Sequence, residues 1–197
     1  VALHPNEAPK LGAGLDAAIA EIDALAARPE VRGIGETGLD HYRTGPAGRA
    51  EQERSFRAHI DIAKRHGKAL VIHDRDAHDD VLRVLDEEGA PDLVVFHCFS
   101  GDAAMAKLCA DRGWAMSFAG NVTFKNAEPL REAVRVAPRE LLLVETDGPF
   151  LTPMPYRGRP NAPYLVPITV RALAEIRGDD LDTLCADIWA TGNRVFS

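Results

Sequence analysis

The chain has 197 residues, of which 46% are hydrophobic and 27% charged, as in an ordinary globular protein with a sizeable core. Its formal net charge of −7 argues against a broad electrostatic grip on nucleic acid, although bound divalent cations would reverse the sign locally. No apolar run approaches the roughly 20 residues that span a bilayer, and no signal peptide is visible. Three scattered cysteines, Cys98, Cys109 and Cys185, are too few for a disulfide framework, so we expect a cytoplasmic protein that does not enter membranes.

Short β-rich runs alternate with longer amphipathic runs, and no low-complexity tract marks a linker. This alternation predicts one α/β domain over residues 1–197, with a parallel sheet joined by helical crossovers. The predicted strands cover residues 1–4, 31–36, 69–73, 93–98, 114–120 and 141–147. The predicted helices cover residues 15–27, 51–67, 76–89 and 102–113, each with apolar residues at helical spacing.

Metal-ligand residue types stand at or near the ends of four predicted strands: Glu36, His73, His97 and Asp147. In parallel α/β proteins the carboxyl ends of the strands converge on one face, where active sites lie. A single histidine or acid there is more often structural, but four on successive strand ends are hard to explain that way. Imidazole and carboxylate ligands suit zinc, manganese or a related divalent ion. No GxGxxG motif opens a helix after a strand, so a TIM-like barrel is favoured over a doubly wound dinucleotide-binding sheet.

Four motifs in order carry a resemblance to a known family: GETGLD (35–40), VIHDRDA (71–77), FHCFSG (96–101) and ETDGPFLTP (145–153). They resemble the TatD family of metal-dependent deoxyribonucleases. The similarity extends to LHP (3–5), SFAGNVTFKNA (117–127), RGRPNAP (157–163) and GNRVF (192–196). Each motif is modest alone, but their common order over nearly the whole chain is specific.

The resemblance implies a hydrolase that cleaves DNA phosphodiester bonds with two divalent ions (Zn, Mg or Mn). Glu36 would bridge the two metals, and His73 and His97 would complete one site. Asp147 would bind the other metal and position or deprotonate the attacking water. Arg75 would hold a substrate phosphate, and His4 would contact substrate. The resemblance also implies an exonuclease acting on single-stranded or frayed ends. The acidic net charge favours such ends over long duplex DNA.

The sequence departs from the family pattern because it contains no HxH motif. We therefore expect a barrel truncated at its N-terminus to about six of eight strands, with the second metal held only by Glu36 and Asp147 and with weak or no activity. His41 stands where the family commonly has Tyr, and Ala162 where it has Glu.

Two other functions stay open: a different amidohydrolase-like barrel hydrolase, and a non-catalytic barrel relic that binds a partner. Metal content and a phosphodiester-versus-amide substrate panel discriminate among the three. Metal identity, nucleic-acid preference and oligomeric state are not determined by the sequence. Outside the motifs, we expect His59 and His66 to be solvated or capping residues, Cys98 to lie in the core, and Trp114 and Trp189 to be packing anchors.

Overall fold

A computed structural model describes all 197 residues, which divide into two compact units. The first unit comprises Val1–His97 together with Val195–Ser197, and the second comprises Cys98–Arg194. The expectation of one domain over residues 1–197 stays a prediction. None of the helices combines the length and the apolar character needed to cross a membrane.

In the first unit, parallel strands alternate with helices, as the hydrophobic periodicity predicts. Strand β1 pairs with β2, and β2 pairs with β3, in both cases in parallel. The elements in chain order are α1 (Ala8–Leu11), α2 (Leu15–Ala26), β1 (Gly33–Asp40), α3 (Arg49–His66), β2 (Ala69–Arg75), α4 (His78–Glu88) and β3 (Val94–Phe96).

Helix α3 covers β1 with its apolar face, which carries the fully buried Phe56 and Ile60. The helix ends at Gly67, whose backbone adopts the left-handed conformation with φ of 60°. The Gly67 amide donates to the carbonyls of Ala63 and Lys64 and so satisfies the end of the helix. Gly67 thus ends the helix that the sequence predicts over residues 51–67.

The second unit repeats the alternation with strands β4 and β5, which pair in parallel. Asp102 caps helix α5, because its Oδ1 accepts hydrogen bonds from the amides of Ala104 at 2.9 Å and Met105 at 3.0 Å. Trp114 is buried, as expected of a packing anchor, whereas Trp189 is exposed. The elements are α5 (Ala103–Asp111), β4 (Ala115–Phe118), α6 (Glu128–Val136), β5 (Leu142–Val144), α7 (Val166–Arg177) and α8 (Leu181–Phe196), whose last two residues belong to the first unit.

The prediction that residues 1–4 form a strand is wrong, so the expected six strands are five. Val1 begins like a strand: its amino group donates to the Gly33 carbonyl at 3.0 Å, and its carbonyl accepts from the Gly35 amide at 3.1 Å. The Leu3 amide donates instead to the side chain of His59. Pro5 has no amide hydrogen to continue a ladder. The segment is extended but not part of the regular sheet.

Candidate metal centre

Glu36 lies at the centre of a cluster of histidines in the first unit. Its Oε2 is 3.0 Å from Nδ1 of His73 and 3.0 Å from Nε2 of His97. The residue is not at a strand end as predicted, because β1 continues four residues further, to Asp40. His73 likewise lies within β2, whereas His97 directly follows β3. The structure therefore brings together three of the four predicted ligands.

A bulge in β1 accounts for the position of Glu36. Ile34 pairs with Leu70 and Thr37 with Ile72, so β1 spends one more residue than β2 between these two pairs. Such an extra residue re-aims a side chain away from regular alternation. Past the bulge, Gly38 pairs with His73, and a Cβ on Gly38 would lie only 2.1 Å from the His73 carbonyl oxygen. Only glycine permits this close approach, at a φ of 133°.

Asp40 holds the other nitrogen of His73. Its Oδ2 is 3.1 Å from His73 Nε2 and also accepts from the Asn6 side-chain amide at 2.9 Å, while its Oδ1 accepts from the Arg43 amide at 2.7 Å. Burial by itself raises the pKa of Asp40, but the hydrogen bonds from Arg43, Asn6 and His73 outweigh it and hold the pKa below its usual value. A fully buried carboxylate thus fixes the orientation of the His73 ring.

Asn6 belongs to a polar network behind Asp40. The Asn6 Oδ1 accepts from the Thr44 hydroxyl at 2.9 Å, and that hydroxyl accepts from Gln52 Nε2 at 2.7 Å. Gln52 closes the network because its Oε1 accepts from the Asp40 amide at 3.0 Å. Every member is hydrogen-bonded, so the network rigidifies the support of His73.

Glu36 is held in its charged form. Burial raises the pKa of its carboxyl, but the hydrogen bonds from His73 and His97 and their positive charge hold that pKa far below its usual value. A carboxylate that accepts from two imidazoles in this way is available as a ligand for a cation at neutral pH.

His4 lies beside this cluster but in a different chemical state. Its Nε2 is 3.8 Å from Glu36 Oε1, and its ring centroid is 4.7 Å from that of His73. The Asn6 amide donates to His4 Nδ1 at 3.1 Å, so Nδ1 carries a lone pair and the neutral ring carries its proton on Nε2. Burial, and then the charge of His73, lower the pKa of His4, which favours this neutral form. The ligand atoms of His4, Glu36 and His73 lie within 4.8 Å of one another, yet the tautomer suits His4 to donate a hydrogen bond rather than to bind a metal.

The donor set fits a divalent ion. One nitrogen of His73 and one of His97 converge on a single oxygen of Glu36. His73 stands between two carboxylates, and a neutral ring can donate to only one of them. When a cation replaces the proton on Nδ1, donation from Nε2 to Asp40 keeps the remaining proton away from Glu36 and leaves the Nδ1 lone pair for the cation. A carboxylate that orients a histidine in this way is the common support of a metal-ligating imidazole.

Asp147 lies in the second unit, three residues beyond β5, with a positive φ of 54°. Its Oδ2 accepts from the Cys98 thiol at 4.0 Å. Cys98 is only partly buried, and its thiol contacts a carboxylate. The expectation that Cys98 lies in the core is wrong. The joint action of Asp147 with Glu36 stays a prediction.

Arg75 ends β2, and its guanidinium carbon lies 3.9 Å from the centroid of the Tyr42 ring. This cation–π contact restricts the arginine side chain without neutralising its charge. Tyr42 follows His41, the residue that departs from the family pattern. The planar charge of Arg75 thus remains available for an anion.

Sequence reasoning missed His59, which is fully buried in α3 rather than solvated. Its Nε2 accepts from the Leu3 amide at 3.0 Å, and its Nδ1 donates to the Ser55 carbonyl at 2.7 Å. Burial lowers the pKa of His59. By fixing Leu3, His59 positions the neighbouring His4. Its occurrence among the polar residues of α3 gives no sign of this contact, which spans 56 positions of sequence.

His66 is half-buried and pairs with Asp23 at 2.7 Å.

The fold and this donor set define a class, the metal-dependent hydrolases with a TIM-like α/β barrel fold. The chain matches the family of TatD related DNases over residues 1–197. It is 56% identical over 180 residues to an uncharacterized metal-dependent hydrolase, TatD of Mycobacterium tuberculosis, covering 89% of this chain and 67% of that protein. It is 42% identical over 167 residues to the uncharacterized metal-dependent hydrolase YcfH of Escherichia coli K12, covering 84% of this chain and 63% of that protein.

Among solved structures, YjjV, a TatD homologue from Escherichia coli, superposes with a TM-score of 0.90 at 25% identity, covering 100% of this chain and 75% of that one. The chain belongs to the TatD related DNase family, and its α/β fold is that of the family's TIM-like barrel. The matches span about two thirds of the length of the curated relatives, 67% and 63% in the two cases above.

Proposed function

We propose that this protein hydrolyses phosphodiester bonds of DNA with two divalent metal ions, as an exonuclease acting on single-stranded or frayed ends. The observation that carries the proposal is the convergence of His73 and His97 on one oxygen of Glu36, both at 3.0 Å. Membership of the TatD related DNase family supports the choice of DNA as substrate.

In this proposal His73, His97 and Glu36 would hold one metal ion, and Glu36 and Asp147 would hold the other. Bound divalent ions would lower the pKa of water and stabilise the charge on a phosphate undergoing attack. With a metal bound, Asp40 would hold the remaining proton of His73 on Nε2, 3.1 Å away, and so leave Nδ1 free to bind the metal. Asp147 acts as the base that accepts a proton from the attacking water.

Two further side chains bind the scissile phosphate. His4 presents the N–H of Nε2, because its Nδ1 already accepts from the Asn6 amide. It donates this hydrogen to a non-bridging phosphate oxygen. Arg75 offers a planar, permanently charged donor that its contact with Tyr42 holds in place. Binding of long duplex DNA needs many contacts between basic side chains and phosphates, which a net charge of −7 disfavours. Binding of strand ends needs fewer such contacts.

The test compares the purified protein with Glu36→Gln and with a matched control, Glu30→Gln, whose carboxylate is exposed and pairs only with Arg28. Bound metal is measured by elemental analysis, and hydrolysis is measured on a single-stranded oligonucleotide and on bis(p-nitrophenyl) phosphate. We expect Glu36→Gln to lose both bound metal and hydrolysis, because an amide is a weaker ligand that cannot neutralise the cation. The control should keep both.

A substrate panel with a lactone and an amide separates this function from the others. Cleavage of the lactone or amide without cleavage of the diesters would show an amidohydrolase-like enzyme. Absence of bound metal and of all hydrolysis in the unmodified protein, with divalent ions supplied, would show a non-catalytic barrel. Either result would overturn the proposal.

A further inference from the structure

The loop after Asp147 carries positive charge in an otherwise acidic protein. Residues 148–174 contain Arg157, Arg159 and Arg171 but no aspartate, glutamate or lysine. The chain as a whole has 30 acidic residues against 23 lysines and arginines. A stretch of 27 residues, 148 to 174, with three cations and no acid is therefore a local departure from a net charge of −7. Such a stretch attracts an anionic partner.

Arg157 and Arg159 form no ion pair with any acid of the protein. Their contacts are aromatic: the Arg157 guanidinium carbon lies 4.1 Å from the centroid of the Phe124 ring, and that of Arg159 lies 5.9 Å from the Tyr156 ring. Both arginines are exposed. In contrast, Arg177 of the same unit is bound by Asp179 at 2.6 Å. No carboxylate therefore balances the charges of Arg157 and Arg159. The Arg157 guanidinium is held against the Phe124 ring.

The two arginines line a cleft of about 490 Å³, within the range of ligand pockets. We call it the Arg157 cleft and define it by Phe124, Leu151, Thr152, Arg157, Arg159 and Pro160. Apart from the two guanidinium groups its walls are mainly apolar. Phe150 and Tyr156, from the same loop, are 65% and 41% exposed. Interleaved aromatic and arginine side chains in a charged groove are typical of sites for single-stranded nucleic acid.

Hydrogen bonds within the loop, and one to Thr123, fix the shape of the cleft. The Thr152 hydroxyl donates to the Arg159 carbonyl at 2.5 Å, and the Met154 amide donates to the Thr123 hydroxyl at 2.8 Å. The buried side-chain amide of Asn161 donates to the carbonyls of Thr146 at 2.7 Å and Phe150 at 2.6 Å. A cleft held in this way loses little conformational entropy when a ligand binds.

We propose that the Arg157 cleft is a binding site for a nucleotide of single-stranded nucleic acid. A nucleobase stacks on the plane of the Arg157 guanidinium, whose other face rests on Phe124. Arg159 forms an ion pair with a neighbouring backbone phosphate. The site reads no sequence, because every base offers a face for stacking. The inference rests on the proposed function for the identity of the ligand, but its contacts include none of the residues that we assign to the metals.

The test measures binding of a fluorescein-labelled oligothymidylate to the full chain by anisotropy, in EDTA so that no cleavage occurs. The variants are Arg157→Ala, Arg157→Lys and Arg159→Ala. The matched control is Arg171→Ala, which removes an exposed arginine of the same loop-to-helix stretch whose hydrogen bond goes only to the Pro167 carbonyl. Circular dichroism confirms that each variant is folded.

We expect Arg157→Ala and Arg159→Ala to weaken binding about tenfold, and the control to change it by less than about twofold. Arg157→Lys should also bind about tenfold more weakly, because an ammonium keeps the charge but not the planar face. For Arg159→Ala, the slope of log Kd against log salt should fall by about 0.7, the value for one phosphate contact on a single strand. Equal binding by Arg157→Ala and Arg171→Ala would overturn the inference, as would full binding by Arg157→Lys.

Hydrolysis of bis(p-nitrophenyl) phosphate by the metal-loaded protein keeps the two proposals apart, since this diester has no nucleobase or further phosphate. Hydrolysis of the small diester together with oligonucleotide binding that ignores Arg157 would overturn the cleft and leave the hydrolase standing. Oligonucleotide binding that depends on Arg157, without hydrolysis of any diester, would support the cleft and overturn the proposed function.

Discussion

Replacement of Asp40 by Asn tests how the His73 ring is prepared for a metal ion. Asp40 Oδ2 accepts from two donors, Asn6 Nδ2 at 2.9 Å and His73 Nε2 at 3.1 Å. If the new asparagine keeps its oxygen on the Arg43 amide, its NH₂ group faces Asn6 Nδ2 and His73 Nε2. Both of these groups are donors themselves. His73 then relieves the conflict by carrying its proton on Nδ1, where it donates to Glu36. That proton occupies the atom that we assign to the metal.

The magnitude follows from these contacts. Removing an outer partner of a ligating histidine weakens metal binding by about 10- to 100-fold. The half-buried side-chain amide of Asn6 loses its acceptor as well, and a donor left unpaired costs up to about 1–3 kcal/mol of folding free energy. We therefore expect Asp40→Asn to lower both the metal affinity and the stability of the protein. Metal affinity is measured by competition with a chelating dye at a temperature where both proteins are fully folded.

Asp74→Asn is the matched control. Asp74 also lies on a strand, is nearly as buried, and pairs with a histidine, His78, at 2.7 Å. That histidine does not contact Glu36, so the variant should lose stability but keep its metal affinity. Unchanged metal affinity in Asp40→Asn, or an equal loss in Asp74→Asn, would refute the assignment of the His73 tautomer.

Two further predictions concern stability. Burial lowers the pKa of His59 below its ordinary 6.5. Below about pH 6.5 the unfolded chain therefore binds a proton at His59 that the folded protein does not bind. The free energy of unfolding should fall as the pH drops through this range. Urea unfolding at pH 7 and pH 5.5 should show His59→Gln losing less than the unmodified protein over this interval, by up to about 1 kcal/mol; parallel losses would contradict this cause. Asn161→Ala removes two buried hydrogen bonds, to the carbonyls of Thr146 and Phe150, and should cost about 1–3 kcal/mol of unfolding free energy in urea. The exposed Asn193→Ala serves as its control, and an equal cost in both variants would show that the two hydrogen bonds contribute nothing.

Helix and strand cores could be predicted because their signals are local. The apolar spacing along residues 51–67, which end in Gly67, predicts α3, and the structure gives this helix as Arg49–His66. The strand at residues 1–4 was predicted wrongly for the same reason. Its apolar pattern is that of a strand, but the amide of Leu3 pairs with His59, a residue 56 positions away. A local pattern does not contain such a partner.

The residues of the candidate metal centre divide in the same way. Glu36, His73 and His97 could be proposed from sequence because each lies on or next to a strand of a parallel α/β chain. Asp40 and Asn6 could not be assigned, because an acid near a strand end and an asparagine after a proline are common features of turns. Their contact joins positions 34 apart and exists only once the chain is folded.

The sequence by itself determined the α/β alternation, the family and the residue types able to bind a metal, because periodicity and motif order are properties of the linear chain. The tertiary structure alone decided which nitrogen of His73 faces Glu36, that His4 presents a proton, and that Arg157 stacks on Phe124. Hydrogen bonds and stacking depend on distances of a few ångströms between residues remote in sequence. Those distances are set by packing, so the chemical state of each side chain is a property of the fold.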